Sequence, residues 1–327
     1  MEYRKLGNTE LELSAIAYGA FAIGGTMWGG NEKKDSIEAI HASLDHGVTT
    51  LDTAPFYGFG LSEEIIGEAL KGKDRTKVQI LTKFGLVWDK SNQDKGEHFF
   101  DIEDNGINIK IYKYSSKANI IKEVEESLKR LNTDYIDLLQ QHWPEATTHI
   151  CETMEAMEIL IQQGKIRAAG VCNYNLNQLK EASKTLIPAS NQLYYSMLNR
   201  SIENEMLPYT IENNIGVIAY SPMERGLLSG KYFQNEKLQV DDHGNDYFGQ
   251  FDLDKVKTFL EAITPITKDK NVSLSQLVLR WTSLQPGIST VLAGARNADQ
   301  AIANAQALNI NLTADEIQMI NYHLSKI

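Results

Sequence analysis

Asp52 and Tyr57 stand in the stretch TTLDTAPFYGFGL, residues 49–61, where strand-like residues give way to a loop. Thr49 and Thr50 are β-branched and Leu51 is apolar, and Pro55, Gly58 and Gly60 then break any continuation. A carboxylate at the end of a core strand is costly unless it is paired. Lys83 directly follows the apolar run Val78–Thr82, and His142 follows the run Tyr135–Gln140. Together these residue types suit proton transfer to a carbonyl oxygen. A free tyrosine, with a pKa of about 10, is a poor acid at neutral pH. A neighbouring ammonium favours the phenolate, so Lys83 is expected to lower the pKa of Tyr57, with Asp52 holding Lys83 in place and charged. His142 can orient the substrate oxygen or share the proton. None of the four is a good nucleophile here, and no His/Asp/Glu cluster has metal-ligand spacing. A hydride would have to come from a cofactor. Taken singly, each residue has a plainer reading: a loop cap, a surface aromatic, a solvated lysine, a loop histidine.

The bulk of the chain narrows the field. Its 327 residues are 42% hydrophobic and 23% charged, an ordinary globular composition. A net charge of −11 argues against a sequence-independent grip on nucleic acid or anionic lipid, so a phosphate ligand must be held by a few local cations. Cys151 and Cys172 form neither a metal spacing nor a disulfide framework. The start, MEYRKLGNTELEL, is too polar for a signal peptide, and no apolar run is long enough to cross a membrane. A cytoplasmic protein is expected.

The elements that must position the polar residues follow in order. Residues 2–13 alternate around Gly7–Asn8 and read as a β-hairpin. Ile16–Gly19 is a short strand, and Asp35 can cap the helix after it. Thr49–Asp52 is the second strand, with Ser62 capping a helix whose apolar side is Ile65, Ile66, Ala69 and Leu70 and whose first turn carries Glu63 and Glu64. Val78–Thr82 is the third. Phe84–Ser116 then holds no helical or strand period, and reads as a functional lid or an inserted hairpin. Further strands are expected at Tyr135–Gln140, Ile166–Val171, Ile187–Asn191, Ile215–Ala219 and Ser289–Leu292, separated by helical stripes. A second long segment, Pro222–Phe251, precedes the last strand. Ser273…Gln276 and Thr313…Glu316 are capping boxes, the second opening a C-terminal helix.

Eight strand-then-helix units predict an α/β fold, a (β/α)8 TIM barrel in one domain over residues 1–327. It carries an N-terminal β-hairpin, long loops after strands 3 and 7, and a C-terminal helix. A doubly wound sheet would want a Gly-x-Gly-x-x-Gly turn after the first strand, which GAFAIGG does not match. Catalytic groups of such barrels sit at the C-terminal strand ends. Asp52, Lys83, His142, Asn173, Gln192, Tyr220 and Arg296 all fall there, and the plainer readings do not explain that joint placement.

Seven stretches in one order carry a resemblance: LDTAPFYGFGLSEEIIGEAL, ILTKFG, SLKRLNTDYIDLLQQHWP, GKIRAAGVCNY, NQLYYSMLNR, AYSPMERGLLSGKY and VLAGARNADQAIANAQAL. Over nearly its whole length the sequence resembles the aldo-keto reductase superfamily, most of all its bacterial branch of IolS-like and general-stress-type reductases. The resemblance implies a catalytic tetrad of Asp52, Tyr57, Lys83 and His142, with Tyr57 as general acid and base. It implies NADPH as cofactor, with Asn173 and Gln192 on the nicotinamide carboxamide and Tyr220 stacked on the ring. Ser221, Pro222, Met223, Gly226, Leu227 and Lys231 would wrap the pyrophosphate, with Arg225 in the same loop. Gly294 and Arg296 would lie by the adenosine 2′-phosphate, and Gln300 and Asn304 by the adenine.

Two positions depart from the family pattern. Cys172 replaces a serine that can hydrogen-bond the carboxamide, and a thiol is a weaker donor. Ala303 stands where an acidic residue is common. The implied activity is NADPH-dependent reduction of aldehydes or ketones, with a small-molecule carbonyl as partner. Trp28, Phe56, Trp88 and Trp143 are expected as aromatic walls for that substrate. The alternative is a cofactor-binding regulatory subunit of the potassium-channel β type. The start of the chain at the barrel hairpin favours the enzyme. Oligomeric state is not legible.

Overall fold

A computed structural model describes residues 1–25, 31–88, 96–104, 106–234 and 247–327. Eight parallel strands close into a barrel: β3 (Ile16–Gly19), β4 (Thr50–Asp52), β5 (Gln79–Phe84), β9 (Ile136–Gln141), β10 (Ile166–Cys172), β11 (Ser190–Tyr194), β12 (Gly216–Tyr220) and β13 (Ile288–Gly294). The antiparallel hairpin of β1 (Tyr3–Lys5) and β2 (Glu12–Ser14) precedes them. Its Leu6, Leu11 and Leu13 pack with Ala17, Leu81, Leu138, Ala168, Ile218 and Leu292 inside the barrel. The hairpin therefore plugs the N-terminal end with apolar side chains, and polar chemistry is left to the other end.

Side-chain alternation does the rest, because every second strand residue faces inward. Two places beyond Leu81 is Lys83, two beyond Ile218 is Tyr220, and two beyond Leu292 is Gly294. The second, larger core lies between the strands and the surrounding helices.

Several boundaries differ from the sequence expectation. β11 is Ser190–Tyr194 rather than 187–191, and Ile187 is left 48% exposed. Pro188 follows it and has no N–H to give to a ladder, so pairing begins beyond it. Gln192 consequently lies inside its strand rather than after it, and so does Lys83, because β5 runs on to Phe84. Ser62 is not a cap: the cap of the helix Leu61–Ala69 lies two residues earlier, at Gly60 in a left-handed conformation. The buried Ser62 hydroxyl instead bonds Thr53 (2.8 Å) and the carbonyl of Ala20 (3.0 Å). Asp35 sits in the first turn of the helix Lys33–Asp45, where Glu32 holds the cap position. Both capping boxes form as expected.

The segment after β5 is the inserted hairpin of the two readings offered. β6 (Leu86–Val87), β7 (Glu97–Asp104) and β8 (Ile107–Lys113) form an antiparallel sheet in the order β6–β8–β7. Its strand period is hidden in the sequence because the β7–β8 register shifts between His98 and Phe100. A bulge of this kind inserts one residue and re-aims its neighbours. It lets the consecutive Phe99 and Phe100 both join the apolar cluster around Phe56. The loop expected after strand 7 contains a short 3-10 segment, Glu224–Ser229, and a helical turn, Lys231–Gln234.

Candidate active site

Asp52, at the end of β4, and Lys83, in β5, meet inside the barrel. Lys83 Nζ donates to Asp52 Oδ1 (2.6 Å) and to the carbonyl of Thr53 (2.8 Å). Gln192 Nε2 donates to the other carboxylate oxygen, Asp52 Oδ2, at 2.8 Å. An ammonium taken out of water is tolerable only with such a partner. Although burial works against it, the Asp52 carboxylate raises the Lys83 pKa above its ordinary value. Outside the barrel, the preceding strand residue, Thr82, donates to buried Glu63 (2.6 Å), which also takes Arg130 Nε (2.7 Å). The helix Leu61–Ala69 is thereby locked to the strand that carries Lys83.

Tyr57 lies over this pair, its ring centre 5.0 Å from Lys83 Nζ. The loop bearing it is set by a close backbone approach. A Cβ on Gly58, whose φ is +66°, would lie 2.0 Å from the carbonyl oxygen of Gly24, so only glycine fits. Phe21 stands edge-on to the Tyr57 ring at 4.8 Å, and His142 at 5.8 Å. The expected lowering of the Tyr57 pKa by Lys83 is outweighed. Burial is the largest influence and pushes it up to about 12, with Lys83 opposing. The phenol is therefore held protonated at neutral pH. Burial, helped by Lys83, holds His142 well below its ordinary pKa, as a neutral imidazole.

The next strand ends continue the ring. Cys172 is buried and its thiol is pushed up by burial, with Lys83 opposing and Asp52 adding. Asn173 is left-handed (φ 60°) and Nδ2 donates to the carbonyl of His142 (3.1 Å). Its Oδ1 accepts the Tyr220 hydroxyl at 2.9 Å. Ser221 (φ 55°), Glu224 (φ 48°), Arg225 (φ 52°) and Gly226 (φ 95°) make the following turn unusually rich in left-handed backbone. Non-glycine residues in that region are strained and gather at functional sites. Pro222 and Leu227 are buried, Met223 is half-buried, and Arg225 and Lys231 are exposed.

Across the rim, Gly294 ends β13, and exposed Arg296 precedes the helix Ala298–Gln306. The Arg296 N–H donates to Gln300 Oε1 (2.9 Å), and Asn304 Nδ2 donates to the carbonyl of Gly294 (3.0 Å). Arg296 and Gln300 thus lie together at a helix N-terminus, a place that favours anions, and Asn304 reaches the end of β13 from further along the same helix.

On the Tyr57 side, Phe56, Trp88, Phe99, Phe100 and Trp143 share one apolar cluster with Tyr57. Phe56 meets Phe100 at 5.8 Å and Trp88 at 6.4 Å, and Phe99 meets Trp143 at 5.3 Å. Trp28 lies outside the described residues. The sequence reading missed the carbonyl of Thr53, Phe21 and Gln140. Gln140 falls between Leu138 and His142 at the inward period of two, a signal that could have found it. Among the described residues, no group of acidic, histidine or cysteine side chains could hold a metal ion.

A closed eight-stranded barrel with a buried Lys–Asp pair beneath a tyrosine and a histidine defines a class of nicotinamide-dependent carbonyl oxidoreductase. The profile of the Aldo/keto reductase family matches residues 15–325, and the chain belongs to that family. It is 39% identical to the aldo-keto reductase YhdN of Bacillus subtilis, over 98% of this chain and 93% of that one. To the NADH-specific methylglyoxal reductase of Escherichia coli it is 36% identical, over 94% of each. Its fold superimposes on the glycerol dehydrogenase of Gluconobacter oxydans with a TM-score of 0.85 and 34% identity, covering 99% of this chain and 95% of that one. An aldo-keto reductase of Klebsiella pneumoniae solved with NADPH aligns at a TM-score of 0.74 and 25% identity, over 98% and 95%. A probable voltage-gated potassium channel subunit beta of Oryza sativa is a weaker match, 29% identical over 95% of this chain and 92% of that one. The chain is an NAD(P)H-dependent oxidoreductase, and the regulatory-subunit alternative is the lesser likeness. No described helix is long and apolar enough to cross a membrane.

Proposed function

We propose that the chain, acting as one barrel domain in the cytoplasm, reduces small aldehydes or ketones to alcohols with NADPH, and that Tyr57 gives the proton. The observation that carries this reading is the Lys83–Asp52 pair buried beneath the Tyr57 ring. Neutral His142 faces the same ring and can donate a hydrogen bond to the substrate oxygen. Bound nicotinamide supplies the hydride. As negative charge develops on the carbonyl oxygen, Tyr57 passes its proton there, and the fixed Lys83 ammonium stabilises the phenolate left behind. Aromatic Phe56, Trp88 and Trp143 exclude water and receive the apolar part of the substrate.

The donor set fits the cofactor. Asn173 and Gln192 would serve the carboxamide; both already bond protein atoms, and the two N–H groups and two oxygen lone pairs of an amide leave room for a further partner. Tyr220 offers a face for the nicotinamide ring. The turn of Ser221, Pro222, Met223, Arg225, Gly226 and Leu227, with Lys231, supplies backbone and cations for a pyrophosphate. Gly294, Arg296, Gln300 and Asn304 would take the adenosine end. Arg296 is the reason to choose NADPH over NADH, since a 2′-phosphate on an acidic protein needs a local guanidinium. One relative is named as NADH-specific, so the choice is a matter for measurement. The test is steady-state oxidation of NADPH and NADH with a panel of carbonyls. Turnover with no carbonyl at all would defeat the proposal.

A further inference from the structure

Glu224 is a fully buried carboxylate that the scheme above leaves unused. Its described partners are hydroxyls: Tyr194 and Tyr247 donate to Oε2, and Ser196 donates to Oε1. The Ser196 hydroxyl is itself anchored, accepting from the N–H groups of Leu198 (3.0 Å) and Asn199 (2.9 Å). Burying a carboxylate is expensive unless its lone pairs are filled, so the arrangement is built to hold this one. It is also the first residue of the left-handed run Glu224, Arg225, Gly226. Strain of that kind persists only where the surroundings over-determine it.

The cage connects to the tetrad. The Tyr194 ring stacks on Tyr220, with centroids 5.7 Å apart and planes 17° apart. Tyr220 donates to Asn173, and Asn173 donates to the carbonyl of His142. Arg225 lies over the other caged ring, 4.0 Å from the centre of Tyr247.

We propose that Glu224 is a positioning residue for the nicotinamide cofactor. By pinning the Tyr194 hydroxyl it backs the Tyr220 ring, and by filling its own lone pairs it holds the Ser221–Gly226 turn in shape before the nucleotide arrives. Ordering a loop in advance strengthens binding by lowering the entropy lost on association. The inference rests on the placement of the nicotinamide at Tyr220 and the pyrophosphate on the turn.

The experiment measures Kd and dissociation rate for NADPH and NADH, by fluorescence titration and stopped flow, in wild type, Tyr194→Phe, Glu224→Gln and the double variant. Tyr194→Phe removes one hydroxyl and keeps the ring, so it decides the matter even if Glu224→Gln fails to fold. Each single change should weaken both nucleotides about tenfold, chiefly through faster dissociation, and leave the carbonyl KM at saturating nucleotide within about twofold. The double variant should lose less than the two single changes added together, since both break the Tyr194–Glu224 bond. An unchanged Kd in Tyr194→Phe overturns the proposal, as does a lowered Tm with raised carbonyl KM and normal Kd, the mark of a merely structural role. A wild type that binds neither nucleotide would overturn the reading of the site first, and this proposal with it.

Discussion

Lys83 Nζ and Asp52 Oδ1 are 2.6 Å apart, with side chains 0% and 2% exposed. The pair is the fixed point around which the strand ends are arranged. Two charges in so dry a place attract strongly, but each leaves a heavy desolvation cost if the other is removed. Asp52→Asn should therefore cost about 3–5 kcal/mol of stability, read from urea unfolding, as well as most of the turnover. A variant as stable as wild type would mean that the carbonyl of Thr53 suffices to hold the ammonium.

Tyr57→Phe removes the proposed acid and leaves the ring with its edge contacts to Phe21 and His142. Carbonyl reduction should be nearly abolished while the NADPH Kd stays within about threefold of wild type, the hydroxyl making no proposed cofactor contact. Lys83→Met should cripple turnover too, because burial alone raises the phenol and nothing would then stabilise the phenolate. Near-normal kcat in Tyr57→Phe would refute the assignment.

Phe100 stands on the apolar wall, with its neighbour Phe99 brought to the same side by the register shift in β7. Phe100→Ala should raise KM for bulky carbonyls or change the order of substrate preference, with cofactor Kd unaltered. If nucleotide affinity alone changed, the inserted sheet would belong to the cofactor side.

Arg296→Ala tests the choice of nucleotide. Losing a charge-assisted contact of roughly 1.5–3 kcal/mol should weaken NADPH about ten- to a hundredfold. NADH lacks the phosphate and should be nearly unaffected. Equal weakening of both, by fluorescence titration, would show that Arg296 shapes the rim rather than reading the phosphate.

Glu123 supplies a pH-dependent prediction. Its carboxyl lies behind the residue after Phe84, accepting from the Gly85 N–H (3.1 Å) and from Asn119. Burial pushes its pKa up to about 8 from an ordinary 4.5, with those two hydrogen bonds opposing. A raised folded-state pKa means that the folded chain keeps a proton the unfolded chain releases. Its stabilising share is complete below the unfolded pKa and is lost as pH rises through the window from about 4.5 to about 8. Glu123→Gln removes this titration, so the wild-type minus variant difference in unfolding free energy should fall across that window. A flat difference would show that the carboxyl is already ionised in the fold.

The sequence alone determined the barrel, because eight short apolar runs alternating with helical stripes leave few other closed arrangements, and local turn chemistry marked both capping boxes. It also placed Asp52, Tyr57, Lys83 and His142 near successive strand ends, since their order along the chain becomes their order around the barrel. Long-range contacts decided the rest. The pairing of Asp52 with Lys83 and Gln192, the dominance of burial over the ammonium at Tyr57, and the approach of Gly58 to Gly24 join residues far apart in the chain. No local pattern records such distances. The inserted sheet was hidden because a bulge breaks the alternation by which a strand is read. Glu224 was passed over because a glutamate in a glycine-rich loop looks solvated until Tyr194, Ser196 and Tyr247 are brought around it. Whether a charge is exposed or caged depends on which other segments fold against it, and that is a property of the tertiary structure.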